Sequence, residues 1–232
     1  MHTLGCNEPA ANLGERMAHW NHAISFCLLF VTGAALIFRS WGGLLGPHGV
    51  KLAQDLHHVM AVPFTFFTLL ILLVGTRKTF FAWLKEIFTW GNEDMKFLGR
   101  FPREFFGLKV ELPEQGKFNA GEKVNSILTI AGSAVMAVTG WILLFRAHFS
   151  REVLAWAYPI HDAGALVMGA VIIGHVYLSL LHPRSREAIN GMLWGTVTAK
   201  FAREHHARWY RQVRQIQATP RPGRKLSSMP AD

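Results

Sequence analysis

Four stretches of the chain are apolar with no sustained polar face: residues 20 to 38, 58 to 76, 124 to 145 and 159 to 181. Each is close to the roughly 20 residues of helix that cross a hydrocarbon layer about 30 Å thick. A soluble core helix is usually shorter and shows polar positions at helical spacing, whereas "SILTIAGSAVMAVTGWILLF" offers only hydroxyls and glycine as relief. The pattern predicts an all-α integral membrane protein built as a bundle of four transmembrane helices. The first stretch follows a polar segment and is long enough to span, so it is expected to stay in the membrane rather than be cleaved as a leader. Pro63 is expected to kink the start of the second span, and Pro159 to open the fourth, where a missing amide costs nothing.

Between the second and third spans, residues 77 to 123 form a long polar loop. Its first part, "KTFFAWLKEIFTW", alternates aromatic and charged residues as a segment lying in the headgroup plane would. The remainder, rich in Gly, Pro and charge, reads as an ordered docking loop. After the fourth span, "GMLWGTVTAKFAREHHARWYRQVRQ" reads as a basic helix and "ATPRPGRKLSSMPAD" as a flexible tail. The chain therefore divides into an amino-terminal tail (1–18), a four-helix membrane domain (19–181) and a basic carboxy-terminal region (182–232). No internal repeat and no phosphate-binding glycine loop is evident.

Charge adds orientation. Of the 24 Lys and Arg, only Arg39, Lys51, Arg146 and Arg151 fall in the connections 39–57 and 146–158; the rest lie in the two tails and the 77–123 loop. Basic residues stay in the cytoplasm, so both termini are expected there. The net charge of +9 is then a topology signal rather than a nucleic-acid footprint. The two cysteines, Cys6 and Cys27, exclude a disulfide framework and an iron–sulfur ligand set, and the absence of C-x-x-C-H excludes covalent haem attachment.

The candidate chemistry lies in the histidines. His161 and His175 open and close "HDAGALVMGAVIIGH". Fourteen residues of helix turn about 1400°, close to four full turns, so both rings project from nearly one face, about 21 Å apart along the axis. Crossing order brings the start of the second span, with His57 and His58, to the level of His161. It likewise brings the start of the first, with His19 and His22, to the level of His175. Two levels of facing imidazoles in apolar surroundings suit the axial ligands of two b-type haems. Gly33, Gly140, Gly164 and Gly174 could make room for the macrocycles, or serve ordinary helix packing. Which member of each doublet faces the iron stays open, because adjacent or near-adjacent helical residues diverge in angle. His48, His148, His182, His205 and His206 are expected at the surface. A metal transporter is the competing use of paired histidines, but it usually recruits carboxylates, and the spans offer only Asp55 and Asp162, both at one edge. A haem-free membrane anchor is the other.

"RMAHW", "GKFNAGEK", "VTG", "IHDAG", "GHVYLSL" and "GMLWGTVTAKFAREHHARWYR" resemble the cytochrome b (gamma) subunit of respiratory formate dehydrogenase. The resemblance covers most of the chain, and the last motif separates it from the cytochrome b subunits of hydrogenase and thiosulfate reductase. It implies His57 and His161 as ligands of a haem near the periplasm, and His19 and His175 as ligands of one near the cytoplasm. It implies a site for menaquinone or ubiquinone at Asn119 and Gly121, where an amide side chain and free backbone N–H groups could reach the quinone carbonyls. From the residues alone, Asn119 reads as an ordinary helix N-cap. The implied partners are a periplasmic iron–sulfur (beta) subunit and a molybdenum- or tungsten-containing catalytic (alpha) subunit in the bacterial inner membrane, with lipid around them and a higher oligomer of the complex left open. Electrons would run from formate through both haems to quinone, with no formate chemistry on this chain. Two features depart from the family: the loop stretch "MKFLGRFPREFFGLKVELPEQ" is longer, which bears on contacts around the quinone mouth, and Asp162 stands where a small residue is expected. The carboxylate is expected to favour a helix N-terminus rather than to tune the neighbouring haem.

Overall fold

A computed structural model describes residues 7–218. Cys6 and the expected flexible tail beyond Ala218 lie outside the described residues. Four helical stretches are long and apolar enough to span: Leu13–Ile37, Ser40–Gly75, Ala120–Leu144 and Arg151–Leu181.

The first is α1 (Leu13–Ile37), opened by a capping box in which Asn12 Oδ1 accepts from Glu15 N and Glu15 Oε2 accepts from Asn12 N. The second begins with α2 (Arg39–Val62), far ahead of its apolar run. Gly46, at φ 66°, breaks it, and Pro47 follows inside the helix. Its polar turns carry an exposed Lys51–Asp55 pair spaced i,i+4, so the 39–57 connection expected from hydropathy is helix. At Pro63 the helix passes into a π-helical turn (Pro63–Phe67), then α3 (Thr68–Leu70) and a second π turn (Ile71–Gly75). The extra residue per turn accommodates the proline ring, and Asn21 Nδ2 donates to Pro63 O at 2.9 Å and to Thr68 Oγ1 at 3.0 Å.

The 77–123 loop is largely helical. The amphipathic piece is α4 (Arg77–Ile87). A second helix, α5 (Asn92–Phe105), occupies what was read as a docking loop, with Asp94 accepting from Gly91 N at 2.9 Å as its cap. The third span is α6 (Ala120–Leu144). The fourth, α7 (Arg151–Val176), is capped by Ser150 and ends in a π turn, Tyr177–Leu181. Pro159 therefore lies inside α7 and does not open it, and the exposed Asp162 lies about three turns beyond the helix start, out of reach of its dipole.

The carboxy-terminal region is not one helix. It runs α8 (Ile189–Leu193), β2 (Thr196–Thr198), α9 (Ala199–His205) and α10 (Ala207–Ala218). Strand β1 (Asn7–Pro9) pairs antiparallel with β2, Glu8 opposite Val197. This small ribbon is the one departure from an all-helical fold among the described residues.

Helices α1 and α2 pack as one hairpin, α6 and α7 as another. They meet at Phe26, Phe64 and Met168, with Leu29, Phe30, Met136 and Ile172 around them. Small residues permit the approach: a Cβ on Gly132 would meet Met168 Sδ at 2.1 Å, and one on Gly169 would meet Phe30 Cε2 at 2.6 Å. Most other large apolar side chains of the spans point outward, Val74, Leu166 and Ile173 among them, as a lipid solvent requires.

Candidate functional site

The histidines form two pairs. On the α1–α7 side, the ring centres of His19 and His175 are 6.1 Å apart. On the α2–α7 side, those of His57 and His161 are 6.4 Å apart. Two imidazole nitrogens on opposite sides of one metal ion, at about 2 Å each, put the ring centres about 6 Å apart, so both pairs have the spacing of an axial ligand set. His22 instead stacks on Phe64 at 4.8 Å and lies 3.3 Å from Ser133 Oγ. His58 is half-buried beside His57, and it is His57 that meets His161. Among the described residues no three His, Cys, Asp or Glu side chains gather as a bare metal ion would need. Pairs suffice for a porphyrin, which brings four nitrogens of its own.

Hydrogen bonds settle the tautomer at one level. Thr139 Oγ1 donates its single proton to Val135 O at 2.7 Å, so it accepts from His161 Nδ1 at 2.8 Å. Thr32 Oγ1 donates to Leu28 O at 2.6 Å and accepts from His57 Nδ1 at 3.0 Å. Both rings then carry N–H at Nδ1 and a lone pair at Nε2, the nitrogen left free to take a metal, with its basicity raised by the hydroxyl. Gly33 and Gly140 follow the threonines, and a Cβ there would crowd His57 Cε1 at 3.3 Å and His161 Cε1 at 3.2 Å. Gly164 abuts Met136 and serves packing, whereas Gly174 faces open space.

Both threonines lie in the sequence V-T-G, at 31–33 and 138–140, a motif whose hydroxyl role shows only once the histidines are placed. The two helices also start alike, with N-x-G-E at 12–15 and 119–122 closing the same capping box. Asn12 to Asn119 and Thr32 to Thr139 are both 107 positions apart. The expectation of no internal repeat thus leaves room for a short correspondence between α1 and α6, two motifs at one common spacing. It stops short of the other level, where Ser126 stands in the place of His19.

Asn119 is the N-cap of α6: Oδ1 accepts from Glu122 N at 2.9 Å, and Glu122 Oε2 accepts from Asn119 N at 2.8 Å. The amides expected to be free for a ligand are partly taken, since Ala120 N donates to Gln115 Oε1 at 2.9 Å and Phe118 N to Glu86 Oε1 at 3.2 Å. Gly121 lies under the aromatic face of α5, where a Cβ would stand 3.7 Å from Phe97 and 3.9 Å from Phe101. One turn on, Lys123 pins the loop. Its ammonium donates to Asp94 Oδ1 and Thr89 O, both at 2.9 Å, and lies 5.6 Å from the Trp90 ring centre.

The described segments nearest the two termini close over this end of the bundle. Arg16 and Trp20 of α1 donate to Met192 O at 3.2 and 3.1 Å. His206 Nδ1 donates to Gly116 O at 3.0 Å, Arg208 N to Gln115 O at 3.1 Å, and Arg211 pairs with Glu114. His182 and His206, expected at the surface, are buried. His182 lies between Ser185 Oγ at 3.0 Å and Glu104 O at 3.1 Å. Burial raises the Glu104 carboxyl above the usual range, opposed by His182 and Arg184, and burial lowers His205.

A four-span bundle with a histidine pair toward each end and no covalent attachment motif defines a membrane cytochrome of the b type. The chain belongs to the prokaryotic cytochrome b561 family, which it matches over residues 10–195. It is 30% identical over 206 residues to the formate dehydrogenase cytochrome b556(fdo) subunit of Escherichia coli K12, covering 87% of this chain and 90% of that one. It is 26% identical over 208 residues to the nitrate-inducible formate dehydrogenase cytochrome b556(Fdn) subunit of the same strain, covering 88% and 90%. With the formate dehydrogenase cytochrome b556 subunit of Haemophilus influenzae it shares 28% over 201 residues, covering 85% and 79%.

Proposed function

We propose that the chain is the membrane cytochrome b subunit of a respiratory formate dehydrogenase, relaying electrons from a periplasmic iron–sulfur subunit to quinone on the cytoplasmic side of the bacterial inner membrane. The spacing of the two histidine pairs, 6.1 and 6.4 Å, carries the reading. His57 with His161, and His19 with His175, would each hold one haem b, and when bound these groups supply a one-electron path across the bundle. Thr32 and Thr139 orient the His57 and His161 rings. The layer of Phe26, Phe64 and Met168 keeps water out of the space between the two levels.

The His19/His175 level lies toward the chain termini, the end that the distribution of Lys and Arg assigns to the cytoplasm. Asn119 Nδ2 and the Gly121 amide are the donors toward a quinone carbonyl. Reduction of one menaquinone or ubiquinone takes two electrons and two protons, the protons entering from the same side. Formate oxidation itself belongs to a molybdenum- or tungsten-containing partner, reached through the iron–sulfur subunit.

The haem content of the purified chain tests this. A reduced-minus-oxidised spectrum should show b-type bands, with two haems per chain. His175→Ala should lose one haem and formate-to-quinone electron transfer, while formate oxidation by an artificial acceptor is spared. Persistence of quinone reduction in that variant would overturn the route.

A further inference from the structure

We infer that the hollow between the ends of α5 and α7 seats the polyprenyl tail of the quinone as it approaches from the bilayer, an inference that rests on the quinone reading above. The hollow holds about 500 Å³ and is lined by Phe105, Phe106, Gly107, Tyr177, His182 and Pro183. Its surroundings are apolar and outward-facing: Phe106 is 78% exposed and Leu181, at the end of the fourth span, 68%. An opening rimmed this way suits lipid rather than water. A second hollow of about 520 Å³, sharing Pro183, carries Glu104, Arg184, Arg186 and Lys200 instead. Adjacent residues of α5, Glu104 and Phe105, thus line chemically opposite spaces.

Aromatic rings connect the apolar hollow to the proposed headgroup site. Phe97 and Phe101 cover Gly121. Ring centres then step 5.6 Å from Phe97 to Phe101, 6.1 Å to Phe105 and 5.2 Å to Tyr177. Tyr177 is two residues beyond His175 and begins the π turn that widens the end of α7, a distortion frequent at functional sites. A ladder of ring edges and faces offers dispersion contacts and few hydrogen bonds, which suits a branched hydrocarbon chain. A phospholipid acyl chain would match the rim. It would not account for a ladder that leads inward to the Asn119 N-cap, where a flat head with carbonyl oxygens finds donors. An amphiphile with such a head and a long apolar tail fits both ends.

The test uses the complex in phospholipid vesicles with two acceptors, a menaquinone bearing a long polyprenyl tail and a tailless naphthoquinone. Phe105→Ala and Tyr177→Ala should raise KM for the tailed acceptor about five- to tenfold and leave the tailless one within about twofold, the loss expected for one aromatic contact. Because Phe105 also holds α5 in place, Phe106→Ala, with its exposed ring, serves as the second variant and should move KM the same way with unchanged haem content. Equal losses for both acceptors would make the ladder simple packing and overturn the inference. Unchanged KM values, with co-purified phospholipid lost from the variants, would assign the hollow to an acyl chain and overturn it too. A wild-type complex that reduces neither acceptor would remove the underlying quinone reading, and this one with it.

Discussion

Thr139 Oγ1 stands 2.8 Å from His161 Nδ1 and donates its own O–H to the carbonyl of Val135. The imidazole is therefore an N–H donor on that side and a lone pair on the other. Thr32 does the same for His57. Removing such a partner typically costs 10- to 100-fold in metal-site affinity or activity. Thr139→Val keeps the branched shape and deletes the acceptor. The variant is expected to bind haem at that level about 10- to 100-fold more weakly. Its midpoint potential should shift upward, because a less basic ligand stabilises the oxidised iron less. Redox titration of the b-type absorbance measures both, and a potential unchanged from wild type would contradict the role of the hydroxyl.

The spans and the two histidine levels were legible because each rests on a short-range rule: apolar length for the spans, helical angle and crossing order for the histidines. The choice between His19 and His22, or His57 and His58, was not, because helical angle alone leaves either ring able to face inward. Helix α5 was missed for a different reason. Phe97, Phe101 and Phe105 recur at i, i+4 and i+8, a helical stripe, but Gly99, Pro102 and the flanking charges outweighed it. The β1–β2 ribbon could not be read at all, since its partners lie at opposite ends of the chain. The correspondence between α1 and α6 is faint in the sequence because only six positions match in two short motifs whose shared property is a backbone cap and a hydroxyl.

The doublets make a discriminating pair of variants. His19 faces His175, whereas His22 packs between Phe64 and Ser133. His19→Ala should lose one haem of two, read from the difference spectrum and pyridine haemochrome content. His22→Ala should retain both and lose only stability, about 1–3 kcal/mol for a truncated, partly buried ring. Loss of a haem from the second variant and not the first would reverse the assignment at that level.

Lys123 and Asp94 form an ion pair whose side chains are only 4% and 5% exposed. The pair ties α5 to the first turn of α6. Breaking one partner leaves an uncompensated buried charge, at a cost of about 3–5 kcal/mol. Lys123→Met should therefore loosen residues 92–105 more than the double substitution Lys123→Met with Asp94→Asn, in which neither charge remains. Limited proteolysis of the α5 segment in the detergent-solubilised complex reports the difference. Equal protection in the single and double variants would mean that the pair does not anchor the helix.

His205 gives the carboxy-terminal cap a pH dependence. Its ring stacks on Phe201 at 4.5 Å, and burial lowers its pKa below the ordinary 6.5, with His206 and Arg184 acting in the same direction and Glu204 and Glu187 opposing. A histidine that titrates lower when docked than when free binds fewer protons in the docked state just below pH 6.5. Docking is thus strongest above that pH and weakens as the pH falls toward the lowered value. Amide exchange over α9 and α10 should accelerate as the pH falls below the ordinary histidine value of 6.5, after correction for intrinsic rates. His205→Phe preserves the stack and removes the titration, so its exchange should be flat over the same interval. A variant that still loosens on acidification would place the sensitivity elsewhere.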